Sequence, residues 1–199
     1  MKKDSKRPQR GKGAVVRSAA ELQEVLKPLV KQIESLTGQI QECDRNLEQI
    51  ARREYPETEL LTQVHGVGIL IALTFCLTVD DRDRFGKSRD GGCYVGLRPK
   101  RSQSGESDPQ LRITKEGDRY LRSLLVQGAQ LILQRRSPDT DLKRWGLRLA
   151  ERGGNNAKKR AIVAVARKLG ILLHRLWVTA EVYEPLRHGD ARQLGKKAA

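Results

Sequence analysis

The stretch Leu61-Leu-Thr-Gln-Val-His-Gly-Val-Gly68, running straight into Ile69-Leu-Ile-Ala-Leu-Thr-Phe-Cys-Leu-Thr-Val79, decides the architecture. A short helix, the turn Val64-His65-Gly66-Val67-Gly68 and an apolar helix over 69–79 form the pattern of a helix-hairpin-helix. Glycines allow the tight turn and leave amide N–H groups facing outward at a helix N-terminus, where they offer a phosphate site independent of base sequence. The same five residues also fit an ordinary Gly-rich turn. His65 reads as a turn residue, because no second His lies nearby.

Upstream, Pro56 closes a long periodic segment. Leu22, Leu26, Leu29, Ile33, Leu36, Ile40, Cys43, Leu47 and Ile50 follow one another in alternating steps of four and three. That is the repeat of a coiled-coil seam, with Leu26, Ile33, Ile40 and Leu47 at a. The segment spans 20–55, and Pro28 predicts a start or kink there, leaving 29–54 as the secure part. The seam packs either on the chain's own body or on another copy, and its narrow stripe favours a homo-oligomer. Before it, residues 1–19 carry Lys2, Lys3, Lys6, Arg7, Arg10, Lys12 and Arg17 against Asp4. They read as a disordered basic arm, either a solvated tail or a phosphate-seeking one.

Downstream of the hairpin, Asp80, Asp81 and Asp83 resemble a metal cluster, but capping and ion pairs with Arg82 and Arg84 account for them. Residues 98–112 have a loop composition, rich in Ser, Pro and charge. Thr114 is expected to cap the following helix, with Gly117 and Asp118 in its first turns. From 135 to 175 twelve Lys and Arg face three acids, interrupted by Gly153-Gly154-Asn155-Asn156. A buried core helix is expected from about 157 to 182, with Lys158, Lys159 and Arg160 exposed at its start, and a flexible tail over 185–199. The fold class is all-α, with a domain over 56–184.

Composition narrows the function. The 199 residues carry a formal charge of +15, a pI near 10.1 and a mean hydropathy of −0.59. A polyanionic partner is the first expectation, and no apolar run suits a membrane span. Aromatics at 4% argue against stacking platforms for unpaired bases, so duplex backbone fits better. Three cysteines without C-x-x-C spacing make a disulfide framework or a Cys-based zinc site unexpected and point to a reducing, cytoplasmic setting.

A serine attacks a phosphodiester when it is exposed and surrounded by positive charge that stabilises the phosphorane oxygens. Ser102, Ser104 and Ser107 lie in a loop bracketed by Arg98, Lys100, Arg101 and Arg112, ahead of Lys115, Arg119 and Arg122. Composition alone leaves open whether this is a nucleophile or a solvated loop.

Longer motifs carry a resemblance. Leu61 to Gly68, Arg84-Phe85, Tyr94-Val-Gly-Leu97 with Pro99, Ser104-Gly105, Ile113-Thr-Lys-Glu-Gly-Asp-Arg-Tyr-Leu-Arg122, Leu124-Leu-Val-Gln-Gly-Ala129 and Lys159-Arg-Ala-Ile-Val-Ala-Val-Ala-Arg167 occur in one order over residues 58–178. In these the chain resembles the C-terminal domain of insertion-sequence transposases of the IS-one-ten type, related to Piv-type DNA invertases. The resemblance implies DNA transposition and recombination, with Ser104 before Gly105 as the nucleophile that forms a phosphoserine link to DNA. Ser102 is the alternative, since Gln103 separates two serines that often adjoin in the family. It also implies a structured bridge RNA as guide, and an N-terminal RuvC-like domain whose carboxylates bind Mg2+. Nothing ahead of residue 20 matches such a domain, so no cofactor is expected in this chain and its isolated activity is expected to be lost. DNA-binding is assigned to Gly66, Val67, Gly68, Arg98, Lys100, Arg101, Arg112, Lys115, Arg119, Arg122, Lys158, Lys159 and Arg160. The competing reading is a non-catalytic nucleic-acid-binding protein, a decayed transposase remnant.

Overall fold

The computed structural model describes residues 12–104, 106, 111–154 and 156–187, with side chains from residue 22 onward. The chain divides into two compact units, Met1–Asn46 and Leu47–Ala199. Among the described residues it is all-α, and an isolated antiparallel bridge between Pro99 and Ile113 takes the place of a sheet.

Helix α1, Lys12–Glu54, supplies all the described residues of the first unit. It begins within the segment expected as a disordered arm and runs through Pro28 without ending. Pro28 lies on the exposed face, off the apolar seam, so its lost hydrogen bond disturbs no packing. The remainder of the expected arm, residues 1–11, lies outside the described residues, as does 188–199 of the expected tail.

The second unit begins in the last turns of α1, where Ala51 is fully buried. Helices α2 (Thr58–Thr62), α3 (Ile69–Val79), α4 (Ser88–Tyr94), α5 (Arg119–Ile132), α6 (Asp141–Glu151) and α7 (Ala157–Thr179) follow. Helix α7 is the central element, with α4, α5 and α6 all packed on it. Leu169, Leu173 and Val165 of α7 meet Leu121 and Leu125 of α5 and Phe75 of α3 in one core. Small residues allow the close crossings: Gly92 abuts Ile171 and Arg167, and Gly146 abuts Val165 and Leu133. Phe75 and Trp177 meet edge to face at 6.3 Å.

Several boundaries differ from the sequence reading. Helix α7 stops at Thr179, before the expected 182, with Ala180 in the left-handed region. The cap of α5 is Asp118, whose carboxylate accepts from the Leu121 N–H at 2.6 Å, and not Thr114. Thr114 is instead engaged through its own N–H, and Gly117 at φ 79° lies outside helical space. Asp81 caps the 3-10 turn Arg82–Arg84 by accepting from the Asp83 N–H at 2.8 Å. His174, buried on α7, holds that turn through Nε2 at 3.0 Å from the Arg82 carbonyl. After α7 the chain doubles back as a strap. The Tyr183 N–H donates to Gln63 Oε1 at 2.9 Å, and the Asp141 N–H donates to the Pro185 carbonyl at 2.8 Å.

Candidate functional site

The serine loop is a short ribbon with a rigid base. Val95 and Leu97 are buried at 1% exposure and anchor its first arm in the core. Ile113 packs its second arm against the same core. The Thr114 N–H donates to the Arg98 carbonyl at 2.9 Å and the Lys100 N–H to the Arg112 carbonyl at 2.8 Å, on either side of the Pro99–Ile113 bridge. At the root the two arms touch backbone to backbone. A Cβ on Gly96 (φ 72°) would sit 1.9 Å from the Glu116 carbonyl oxygen, and one on Gly117 would sit 1.8 Å from that of Tyr94. The Lys115 N–H donates to the Gly96 carbonyl at 3.0 Å.

Arg122 closes this root. Its Nη1 donates to the Val95 carbonyl at 3.0 Å and to the Glu116 carbonyl at 3.2 Å, one on each arm. Arg122, one of the DNA-binding residues expected from the sequence, is half-buried here, with its guanidinium on these two carbonyls. Asp118 secures the other side by capping α5.

Beyond the root the ribbon is exposed, Ser102 and Ser104 included. Alternation through the bridged pairs puts Arg98 and Lys100 on one face, with Arg112 opposite Lys100 across the ribbon, and Ser102 and Ser104 follow just beyond the bridge. Arg101 falls on the other face. Lys115, with φ 62°, and Arg119, at the first position of α5, are exposed beside the root. Gly105 and Ser107 lie outside the described residues.

The hairpin is built on the same helix. Val64 and Val67 are buried and turn the chain inward. Gly66 (φ 86°) is pressed on α5, where an added Cβ would lie 2.8 Å from the Gly128 carbonyl oxygen. Gly68 then sits at the N-cap of α3 in extended backbone, with no side-chain cap. The first helical bond runs from the Ala72 N–H to the Gly68 carbonyl at 3.0 Å. The earlier N–H groups of the first turn therefore point out of the helix, ready for an external acceptor. A shallow groove of about 450 Å³ beside them is lined by His65, Leu70, Gln127, Leu131 and Arg136. Arg122 and Gly128 are six residues apart on α5, so ribbon root and hairpin are separated by about 9 Å of helix rise.

Lys158, Lys159 and Arg160 open α7, another helix start without a side-chain cap. Arg160 donates from Nη2 to the Gly153 carbonyl at 3.4 Å, whereas Lys158 and Lys159 are exposed on the first turn. Farther along, Lys168 Nζ lies 4.1 Å from the centroid of the Trp145 ring. Burial, and then the neighbouring Arg148, push the Lys168 ammonium below its ordinary value. Nothing in residue spacing announced this pair, because α6 and α7 bring it together across the glycine turn.

Among the described residues no three His, Cys, Asp or Glu side chains converge as a metal site. No helix among the described residues is long and apolar enough to cross a membrane.

Comparison with known proteins identifies the family. Residues 58–144, from α2 into α6, match the model of the transposase IS116/IS110/IS902 family. The chain is 31% identical over 163 residues to the transposase for insertion sequence element IS1111A of Coxiella burnetii, covering 81% of this chain and 44% of that one. It is 28% identical over 167 residues to a probable family 20 transposase of Pseudomonas aeruginosa, with 83% and 48% covered. A third relative, the transposase for insertion sequence element IS1328 of Yersinia enterocolitica, is 34% identical over 100 residues, 50% of this chain and 30% of its own. The chain spans a little under half the length of the first two relatives. Hairpin, ribbon and α5 all fall within the matched region, and through it the chain belongs to the IS116/IS110/IS902 transposase family.

Proposed function

We propose that this chain is the serine-bearing portion of a DNA transposase, in which the hairpin and the basic ribbon hold duplex DNA and Ser104 attacks it. The observation that carries the reading is the exposed Ser104 in a loop whose bridged base presents Arg98, Lys100 and Arg112. In the attack the Ser104 Oγ–P bond forms as a P–O ester bond of the DNA breaks. The hydroxyl proton leaves to a base, and the departing deoxyribose oxygen takes up a proton. Cations on the ribbon stabilise the phosphorane charge and hold the scissile phosphate near Oγ. The first turn of α3, as the second half of a helix-hairpin-helix, binds a neighbouring phosphate without reading bases.

On this reading cleavage also requires a RuvC-like domain, whose carboxylates would hold Mg2+, together with a structured bridge RNA that chooses the target. Through the α1 seam the protein works as a homo-oligomer. The test is to trap a covalent adduct on duplex DNA with a RuvC-like partner and guide RNA supplied. Ser104→Ala should abolish the adduct and Ser102→Ala should only weaken it. The reverse pattern moves the nucleophile by two residues. An adduct absent from the complemented wild type leaves the competing reading, a non-catalytic DNA-binding remnant, which the basic surface alone supports.

A further inference from the structure

The first unit presents an apolar face that is exposed among the described residues. Ile33 is 63% exposed, Ile40 61% and Val25 69%, and Leu22, Leu29 and Leu36 are similarly open. With Leu26 at a, the described helix places Leu29 and Leu36 at d, Ile33 and Ile40 at a, and Cys43 at d. The residues that weaken a helix lie off this seam: Pro28 at c and Gly38 at f. Charges follow the same partition, with Glu24, Lys27, Lys31, Glu34 and Glu42 on the outer positions and Asp44 the exception at e.

We infer that this face takes a second copy of the chain, paired parallel and in register as a two-stranded coiled coil in which the two Cys43 residues face each other. The inference rests on the self-association proposed above and adds its geometry. Three observations carry it. First, β-branched Ile at a with Leu at d over 29–40 is the pattern that selects two parallel strands. Second, the flanking residues complement themselves only in that orientation. A parallel pair sets g against the following e, so Val25 meets Val30, Gln32 meets Thr37 and Gln39 meets Asp44, apolar with apolar and no like charges together. An antiparallel pair sets e against e and g against g, leaving Val30 on Thr37 and Val25 on Asn46. Third, the half-exposed seam and its flanking valines bury on the order of 1,500 Å² when two copies meet, the size of a specific interface.

Cys43 reports the geometry. Helix axes about 9–10 Å apart, with Cα atoms on a cylinder of about 2.3 Å radius, leave facing Cα atoms about 5 Å apart, within the span of a disulfide. In the antiparallel register Cys43 lies opposite Leu26, and the two thiols are roughly 25 Å apart. Cys43 is exposed, Cys76 is buried and Cys93 is half-buried, so a Cys93→Ser chain leaves one accessible thiol.

The experiment is sedimentation of this chain at tens of micromolar, with mild oxidation of the Cys93→Ser protein followed by non-reducing electrophoresis. A dimer that cross-links almost completely, loses the cross-link in Cys43→Ser and stays dimeric there supports the inference. Ile33→Asp with Ile40→Asp should give monomers whose second unit melts as before. A dimer that does not cross-link overturns the parallel register, and a trimer or tetramer overturns the two-stranded pairing. A monomer overturns the self-association on which both depend.

Discussion

At the scale of single residues, the glycines divide by what a side chain would meet. Gly96 and Gly153 have nearly the same backbone, φ 72° and φ 75°, but an added Cβ at Gly96 strikes the Glu116 backbone whereas at Gly153 it meets nothing within 4 Å. Gly153→Ala should therefore cost only the left-handed conformation, about 1–2 kcal/mol. Gly96→Ala should cost more than about 3 kcal/mol, because a backbone carbonyl must move. Urea unfolding of both variants checks the contrast; equal losses would mean that the ribbon root is not packed as described. Cys76 behaves differently. Burial, and then Glu57, push its thiol up from 9.0 to about 12. A raised value means that the folded state keeps a proton which the unfolded chain gives up. Its contribution is intact below about pH 9 and is lost as pH rises toward 12, at up to about 1.4 kcal/mol per pH unit. Unfolding free energy measured from pH 8 to 11 should fall less steeply in Cys76→Ala than in wild type.

At the scale of elements, Arg122 and the Asp118 cap make the ribbon a part of α5. Arg122→Met removes two hydrogen bonds to the ribbon root and Asp118→Ala removes the cap of α5. Each should cost about 1–2 kcal/mol. Amide exchange should separate them: Arg122→Met should loosen the Thr114 and Lys115 amides at least tenfold while α3 keeps its protection. Loss of protection throughout the second unit would assign Arg122 to general stability instead. Periodicity made α1 legible, since 3.5-residue spacing survives in any context, and an apolar run directly after the glycine turn made α3 legible. The ribbon was not, because its pairing depends on Pro99 meeting Ile113 across a segment with almost no apolar pattern. The cap of α5 was misplaced for a related reason. Thr114 and Asp118 are both good caps, and only the crossing of Gly96 with Glu116 shows which residue begins the helix. Arg122 reads as one more cation in a basic run until its carbonyl partners are known.

At the scale of the whole molecule, charge sets how the chain would meet the nucleic acid of the proposed function. A net charge of +15, with cations on the ribbon and at the start of α7, predicts duplex affinity that falls steeply between about 50 and 200 mM salt. Lys158→Glu with Lys159→Glu should flatten the slope of log affinity against log salt by roughly two. Ser104→Ala should leave that slope unchanged. Fluorescence anisotropy on unrelated duplexes is the measurement, and strong preference for one sequence would contradict backbone-only contact. The basic character was legible from composition, but its partition was not: Arg122 is half-buried on two backbone carbonyls, whereas Lys158, Lys159 and Arg160 are exposed.

The strap after α7 also imposes an order in time. Gln63 stands just before the hairpin, and its side-chain partner, the Tyr183 N–H, is 120 residues farther along the chain. A ribosome adding about 5–20 residues per second needs roughly 6–24 s to make that segment. Throughout this interval the nascent hairpin lacks its brace and α6 lacks the Pro185 carbonyl on its first residue. A reading frame cut short before codon 183 would therefore yield a protein whose Ser104 and Lys158-Lys159-Arg160 are all translated but whose hairpin never gains this brace.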